Sequence, residues 1–427
     1  VATGFALILG GLAEHRRSLV VGGWVAFGLA GLAKDPLAAL AAPAAVGLAL
    51  ALTGRLRPLS RWMPWPGVVA WVVLAIGWWL PAEARTPGFV WYTVVDNHVL
   101  NVLRVRRFPD EDVPLGAGLF LTVAALGAAP WIIAAGLAVA RLARGRAWRE
   151  PAEFAWVVLA VWATGVLALT TLAPFRLPHY GLPAYPAIAL LAARGWLRHG
   201  GRRLVIVHAL ALAVAAAGLA AVAVTAGGSR LLLDATDVGT RKLEAAGRSV
   251  SVPDADVRRL GRAAALVTGL GAAALAALAS RRRVRPPAAV VVVVGTMLVM
   301  LPVTAVALAR MSASRAVRDI ALEVRRRVAA GDVLVHEGPI ENSGALEWYS
   351  GRRPVIVDGR RSVLGFGATL DGAAGTFWDG PRLGEAWRDR RVWVVTARPP
   401  GATLVTGLPA PRVVAAAGGR WLYVNRE

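Results

Sequence analysis

Three stretches of this chain gather residue types that can grip a phosphate beside a membrane. The first is Gly31-Leu32-Ala33-Lys34-Asp35-Pro36. An ammonium held there can neutralise an anion, or Lys34 can snorkel beside Asp35 in a turn that Pro36 enforces. The second, residues 83–114, holds Tyr92, Asp96, Asn97, His98, Arg104, Arg106 and Arg107, then Asp110, Glu111 and Asp112. Guanidinium groups take phosphate oxygens in bidentate fashion; the competing reading is a solvated loop of mixed charge. Residues 96–103 are expected to form a helix lying on the membrane, with Asp96 and Leu100 on one face. His98 alone does not make a metal site. The third stretch is Pro174-Phe175-Arg176-Leu177-Pro178-His179-Tyr180-Gly181-Leu182-Pro183. Its prolines stiffen the re-entry into the next apolar run and fix where Arg176, His179 and Tyr180 project, a backbone tolerated at membrane depth where protein or water covers it.

The elements that must position these stretches are membrane spans. Of 427 residues 56% are hydrophobic and 17% charged, with a mean hydropathy of +0.55. A soluble domain cannot hide that much apolar surface. Apolar runs lie at 1–13, 19–33, 37–52, 67–82, 115–140, 153–172, 182–197, 204–226, 263–280 and 287–309, giving nine or ten expected spans. The first run is too short to cross a bilayer, and the chain opens at Val1 inside it; the expectation is that sequence, including further spans, precedes it. Eight tryptophans near run ends, Trp62, Trp65, Trp78, Trp79, Trp91, Trp131, Trp148 and Trp196, are expected to be interfacial anchors.

A net charge of +22 invites a nucleic-acid partner, but the excess sits in short segments between apolar runs. Segments 14–18, 53–61, 141–149, 194–203 and 281–285 carry 17 arginines against one acid, Glu14. The alternate set, 34–36, 83–114, 173–186 and 227–262, is mixed, with 13 basic and 11 acidic residues. The positive-inside rule puts the first set in the cytoplasm, and the mixed segments and the C-terminus outside it. Nucleic acid is therefore excluded as a partner. There is no cysteine, which excludes disulfides and Cys-ligated metals.

After Arg310 the pattern changes. Residues 313–330 read as an amphipathic helix, followed by strands at 332–336, 354–357, 392–396, 412–416 and 421–425 with helices near 345–349 and 383–388. Alternation of this kind implies a small α/β layer fold. No phosphate-binding glycine loop follows a strand, so a nucleotide site is unsupported. The expected fold class is an all-α polytopic membrane region over 1–310 and an extracytoplasmic α/β domain over 311–427.

The three stretches, in this order and spacing, resemble the polyprenyl-phosphate-dependent GT-C glycosyltransferases, in particular the bacterial aminoarabinose transferases of lipid A and the protein mannosyltransferases that use dolichyl-phosphate-mannose. A Leu-Thr-Lys-Gly-Pro stretch of that family is matched by Leu32-Ala33-Lys34-Asp35-Pro36, with Asp35 at the glycine. An outer loop with His then Arg, followed by Pro-Trp in the next span, is matched by His98, Arg104 and Ala129-Pro130-Trp131. Lys-Leu-Pro-x-Tyr-x-Leu-Pro is matched by Arg176-Leu177-Pro178-His179-Tyr180-Gly181-Leu182-Pro183, with Arg keeping the charge. The resemblance covers residues 1–200.

It implies an inverting transfer from a sugar on a lipid monophosphate, undecaprenyl-phosphate in a bacterium, to a hydroxyl acceptor on the outer face of the inner membrane. No cofactor is implied. It further implies that Lys34, Arg104 and Arg176 bind the lipid phosphate, that His179 and Tyr180 shape the sugar or phosphate pocket, and that Asp35, Asp96 and His98 belong to the same substrate- and lipid-phosphate-binding set. In the family the carboxylate base lies in the first outer loop, expected upstream of Val1. Two other functional classes remain open on the residues alone: a transporter or flippase of lipid-linked sugars, and a non-catalytic scaffold. Transporters commonly carry internal repeats, and none is visible here.

Overall fold

The structure is a computed structural model, and it describes residues 1–33, 36–109, 114–225, 227–228, 230, 254–313 and 315–426. Lys34, Asp35, Asp110, Glu111, Asp112 and most of segment 227–262 therefore lie outside the described residues. The chain divides into two compact units. Unit 1 comprises Val1–Arg104, Pro114–Ala215 and Thr268–Thr296, and unit 2 comprises Val105–Val113, Ala216–Val267 and Met297–Glu427.

The apolar runs become helices: α1 Ala2–Ala13, α2 Arg17–Ala33, α3 Pro36–Leu52, α4 Trp65–Ala75 and α5 Trp79–Arg85. After α5 comes a π-helix, Trp91–Leu100, and the helical turn Asn101–Leu103. Then follow α6 Ala117–Gly127, α7 Trp131–Arg144, α8 Phe154–Leu172 and α9 Tyr185–His199. The last long ones are α10 Arg202–Val224, α11 Asp254–Ser280 and α12 Pro286–Ala313. Among the described residues five helical stretches are long and apolar enough to cross a membrane, or six if the α6–α7 pair is one broken span. Their apolar side chains are turned outward, as lipid requires: Leu169 is 68% exposed, Val214 73% and Val291 69%. This is a multi-pass membrane protein.

Three features differ from the sequence reading. The run 115–140 is not one helix but two, bent by 105°, where Pro130 supplies no backbone N–H to continue the ladder. The segment read as 227–262 ends earlier than expected, because Asp254 and Asp256 in the first turn of α11 suit a helix N-terminus and Arg258 Nε donates to the Asp254 carboxylate at 2.7 Å. Of the expected anchors, Trp62, Trp79 and Trp196 are buried within the protein at 7%, 5% and 5% exposure; Trp62 packs against Trp24, whose indole N–H donates to the Trp62 carbonyl.

Close approach of helices decides the interior of unit 1. A Cβ on Gly195 in α9 would collide with the Ala134 carbonyl oxygen of α7. That atom is backbone and cannot step aside. Gly195→Ala is therefore expected to push α7 from α9 and cost about 1–3 kcal/mol, seen as a lower melting temperature of the solubilised protein. An unchanged melting temperature would mean the pair has slack.

Unit 2 contains a six-stranded sheet: β1 Val333–Glu337, β2 Val355–Val357, β3 Phe377–Trp378, β4 Val392–Thr396, β5 Arg412–Ala417 and β6 Arg420–Val424. Their order is β3-β2-β1-β4-β6-β5. The first four are parallel and β6 and β5 are antiparallel additions, joined by Gly418-Gly419, both at positive φ, as a two-residue hairpin turn favours. Side chains alternate between two cores. On one face α13, Arg318–Arg327, sets Ile320, Ala321 and Val324 against Leu334, Trp393, Val395 and Leu422. On the other, α15, Gly380–Asp389, sets Leu383 and Trp387 against Val335, Val392, Val394 and Tyr423. A short α14, Leu346–Ser350, connects β1 to β2. The two-residue β3 was not foreseen; it is too short to show an alternating pattern.

Candidate functional site

Contacts inside unit 1 sort its helix ends into two groups. α2 and α4 run in the same direction, with Gly67 against Trp24, Gly28 against Trp71, and Gly31 against both Ala75 and Ala39. The ends of α2 and α4 and the beginning of α3 therefore meet. α3 packs on α8. Arg55, just past the end of α3, donates to the Pro151 carbonyl at 3.2 Å and covers the Phe154 ring at 5.7 Å, so the beginning of α8 lies beside the end of α3. It follows that the end of α8, and Arg176 beyond it, share an end of the unit with the end of α2, the beginning of α3 and the segment after Ala75. The described flanks of the three chemistry-bearing stretches thus lie at one end.

The opposite end is an arginine end. There Arg61 donates to His15 Nδ1 at 2.9 Å, and Arg194, largely buried, pairs with Glu153 at 2.5 Å while covering Trp156 at 4.8 Å. Gly200 lies against Pro286, 3.0 Å from where its Cβ would stand. The arginine-rich segments 14–18, 53–61, 194–203 and 281–285 thus each have a described contact or flank at this end.

At the first end, Arg176 is the best-defined side chain. Its Nε donates to the Leu115 carbonyl at 2.9 Å and its Nη1 to the carbonyls of Thr171, at 2.9 Å, and Ala173. The Leu115 amide in turn donates to the Arg176 carbonyl at 2.8 Å. One guanidinium therefore closes the proline-rich turn onto the start of the broken span, and among the described residues its Nη2 has no protein acceptor. Next to it the 3-10 stretch Pro178–Ala184 carries His179, exposed, and Tyr180, half-buried, with rings edge-on at 4.9 Å. Tyr185 then anchors this stretch to the broken span, its hydroxyl donating to the Ala124 carbonyl at 3.1 Å.

The segment after α5 is helical rather than an open loop. Glu83 starts it: its carboxylate accepts the Gly88 and Val90 amides at 2.8 and 2.7 Å, filling orphan donors of the π-helix N-terminus. Trp78, Trp79 and Phe89 pack behind it with centroids 5.6–5.9 Å apart. Within the π-helix Asp96 is fully buried, and His98 is half-buried, its Nε2 sealed from solvent with no hydrogen-bond partner among the described residues. A π-helix of this length is rare, and such bulges concentrate at functional sites. Arg104 is exposed, in left-handed backbone at φ +61°, where the segment turns away. Glu83 and Leu115 were not foreseen as site elements; the only sequence signal was an acid five residues before Gly88.

Two crystal structures of ArnT from Cupriavidus metallidurans match this architecture. The one bound to undecaprenyl phosphate matches with a TM-score of 0.72 at 21% identity, over 99% of this chain and 73% of that one. The apo structure matches at 0.71 and 21%, over 99% and 72%. The fold is that of ArnT. No family model matches the chain, and no curated protein does.

In the α/β sheet of unit 2 a buried polar cluster sits where the crossovers from β1 and β4 diverge. That edge is where open α/β sheets bind ligands, but here it is filled by the protein itself. Buried Glu337, closing β1, accepts Arg398 Nη1 at 3.0 Å, the Thr403 hydroxyl and the Leu404 amide at 2.8 Å. Arg398 also donates to Asp358. Burial works against the Arg398 charge, yet the bond to Asp358 and the charges of Glu337 and Asp358 outweigh it and hold its pKa above the ordinary guanidinium value. Sequence patterns did not announce this cluster, because its members come from the ends of three separated strands.

Proposed function

We propose that this protein is a membrane glycosyltransferase that moves a sugar from a polyprenyl-monophosphate carrier to a hydroxyl acceptor on a lipid, glycan or protein. The observation that carries the reading is the likeness of the chain's fold to ArnT, one of whose structures holds undecaprenyl phosphate. It is supported by the position of Arg176 and of the helix ends that flank the other two stretches, at the end of unit 1 opposite its arginine-rich segments. With those segments in the cytoplasm, the reaction runs on the outer face of the bacterial inner membrane. Residues 1–310 then form the polytopic region, and residues 311–427 the α/β domain outside the cytoplasm.

In this reading the acceptor oxygen attacks the anomeric carbon from the side opposite the phosphate. The carbon–oxygen bond to the carrier breaks, its electron pair leaves with the phosphate, and the acceptor's proton goes to a carboxylate base, giving inversion. Lys34, Arg104 and Arg176 stabilise the departing phosphate; His179 and Tyr180 shape the pocket, with Asp35, Asp96 and His98 on its border. A burial-rich, water-poor setting keeps hydrolysis from competing. The test is reconstitution of the intact protein in liposomes with polyprenyl-phosphate sugars and candidate hydroxyl acceptors. Release of polyprenyl phosphate coupled to glycosylated acceptor is expected. Movement of intact sugar-lipid between leaflets with no release would overturn the transferase in favour of a transporter.

A further inference from the structure

At the arginine end of unit 1, α10 and α11 leave an open groove of about 450 Å³. Its walls are Ile206, Ala209, Leu210 and Ala213 on α10 and a run of alanines from Ala272 to Ala279 on α11, with Arg202 and Ser280 at one mouth. Ile206 and Leu210 are 38% and 60% exposed, so the groove faces outward, where a membrane protein meets lipid. From Arg202 to Ala213 a helix rises about 16 Å, close to the ~15 Å depth of one leaflet's hydrocarbon. A groove of that length, walled by methyl groups and open on one side, fits a single extended acyl chain.

What lies at its mouth selects the kind of lipid. Arg202 and Arg203 begin α10, and Arg281, Arg282 and Arg283 follow Ser280 directly; all five are exposed. Among the described residues none of their side chains is engaged in an ion pair or hydrogen bond, and neither 198–203 nor 281–285 contains an acid. The contact of Gly200 with Pro286 brings the beginning of α12, preceded by Arg285, to the same mouth. Basic clusters between membrane helices at the headgroup level attract anionic lipid. A zwitterionic headgroup would leave this charge uncompensated.

We propose that an anionic glycerophospholipid occupies this groove, one acyl chain against the alanine wall and its phosphate among Arg202, Arg203, Arg281, Arg282 and Arg283. The site stands at the end of unit 1 opposite Arg176 and does not depend on the proposed transfer reaction. Its ligand is a bilayer lipid, bound for the state of the protein rather than consumed.

The experiment is native mass spectrometry of the intact protein released from nanodiscs of mixed phosphatidylglycerol and phosphatidylcholine. One phosphatidylglycerol retained preferentially, by about tenfold or more, is the expected result. Arg281→Gln/Arg282→Gln/Arg283→Gln, all exposed positions that leave packing intact, is expected to abolish the preference. Ala276→Phe fills the groove while keeping every arginine, and is expected to lose the retained lipid; a melting curve confirms that each variant is folded. Equal retention of both lipids overturns the proposal, as does undiminished retention by either variant. Self-association of the wild-type chain that Ala276→Phe abolishes would also overturn it, by assigning the groove to a second copy's helix.

Discussion

Arg176→Ala is expected to lower sugar transfer by roughly 10²–10³-fold, the range seen when one donor to a developing oxyanion is removed, while the protein stays in the membrane. Two effects act together. The substitution removes the charge, including the Nη2 edge that has no protein acceptor among the described residues. It also strips three donors from the carbonyls of Leu115, Thr171 and Ala173, loosening the turn that carries His179 and Tyr180. Arg176→Lys separates them. An ammonium keeps the charge but cannot bridge carbonyls as a planar fork does, so it is expected to recover part of kcat and leave KM raised. Transfer rates in liposomes, with the variant's abundance in the membrane measured alongside, decide the matter. Near-normal transfer by Arg176→Ala would remove Arg176 from the site.

Much of this was legible from sequence, for a physical reason. Lipid demands long uninterrupted apolar helices, so runs such as 153–172 and 204–226 became Phe154–Leu172 and Arg202–Val224 with ends displaced by at most two residues. Three of the four parallel strands, β1, β2 and β4, announced themselves as apolar runs; Val392–Thr396 was read at its observed limits. What escaped depends on partners far along the chain. Arg176 reads as a phosphate ligand because a lone arginine beside prolines shows no acceptor, yet Leu115 accepts from it across 61 residues. Trp62 and Trp79 sit at run ends like anchors, but only helix packing reveals that their rings face protein. The π-helix was expected merely as a helix over 96–103, because the hydrogen-bond shift that makes it leaves no mark on hydrophobic periodicity. Lys34 and Asp35 fall between α2 and α3, and their part in the site rests on the resemblance and on where those two helices meet.

The second large effect is expected in the α/β domain. Arg398→Met should destabilise the sheet around β1 and β4 by about 3–5 kcal/mol, the usual cost of stripping the partner from a buried charge. Glu337 is the reason. Its side chain is 1% exposed, and without Arg398 it keeps only the Thr403 hydroxyl and the Leu404 amide. Arg398 contributes mainly through Glu337, since Asp358 is 55% exposed and an ion pair in water is worth little. Asp358→Asn is accordingly expected to cost under about 1 kcal/mol. Replacing both charges, Glu337→Gln with Arg398→Met, should recover most of the loss, because the buried acceptor then no longer carries an unpaired charge. Hydrogen exchange of the β1 and β4 amides in the intact protein reads all three. Protection should fall by roughly 10²–10⁴ in Arg398→Met, each decade being about 1.4 kcal/mol, and return toward wild type in the double variant. If the double variant exchanges as fast as Arg398→Met, the cation holds the strands by packing its stem, and the charge of Glu337 is not what makes it necessary.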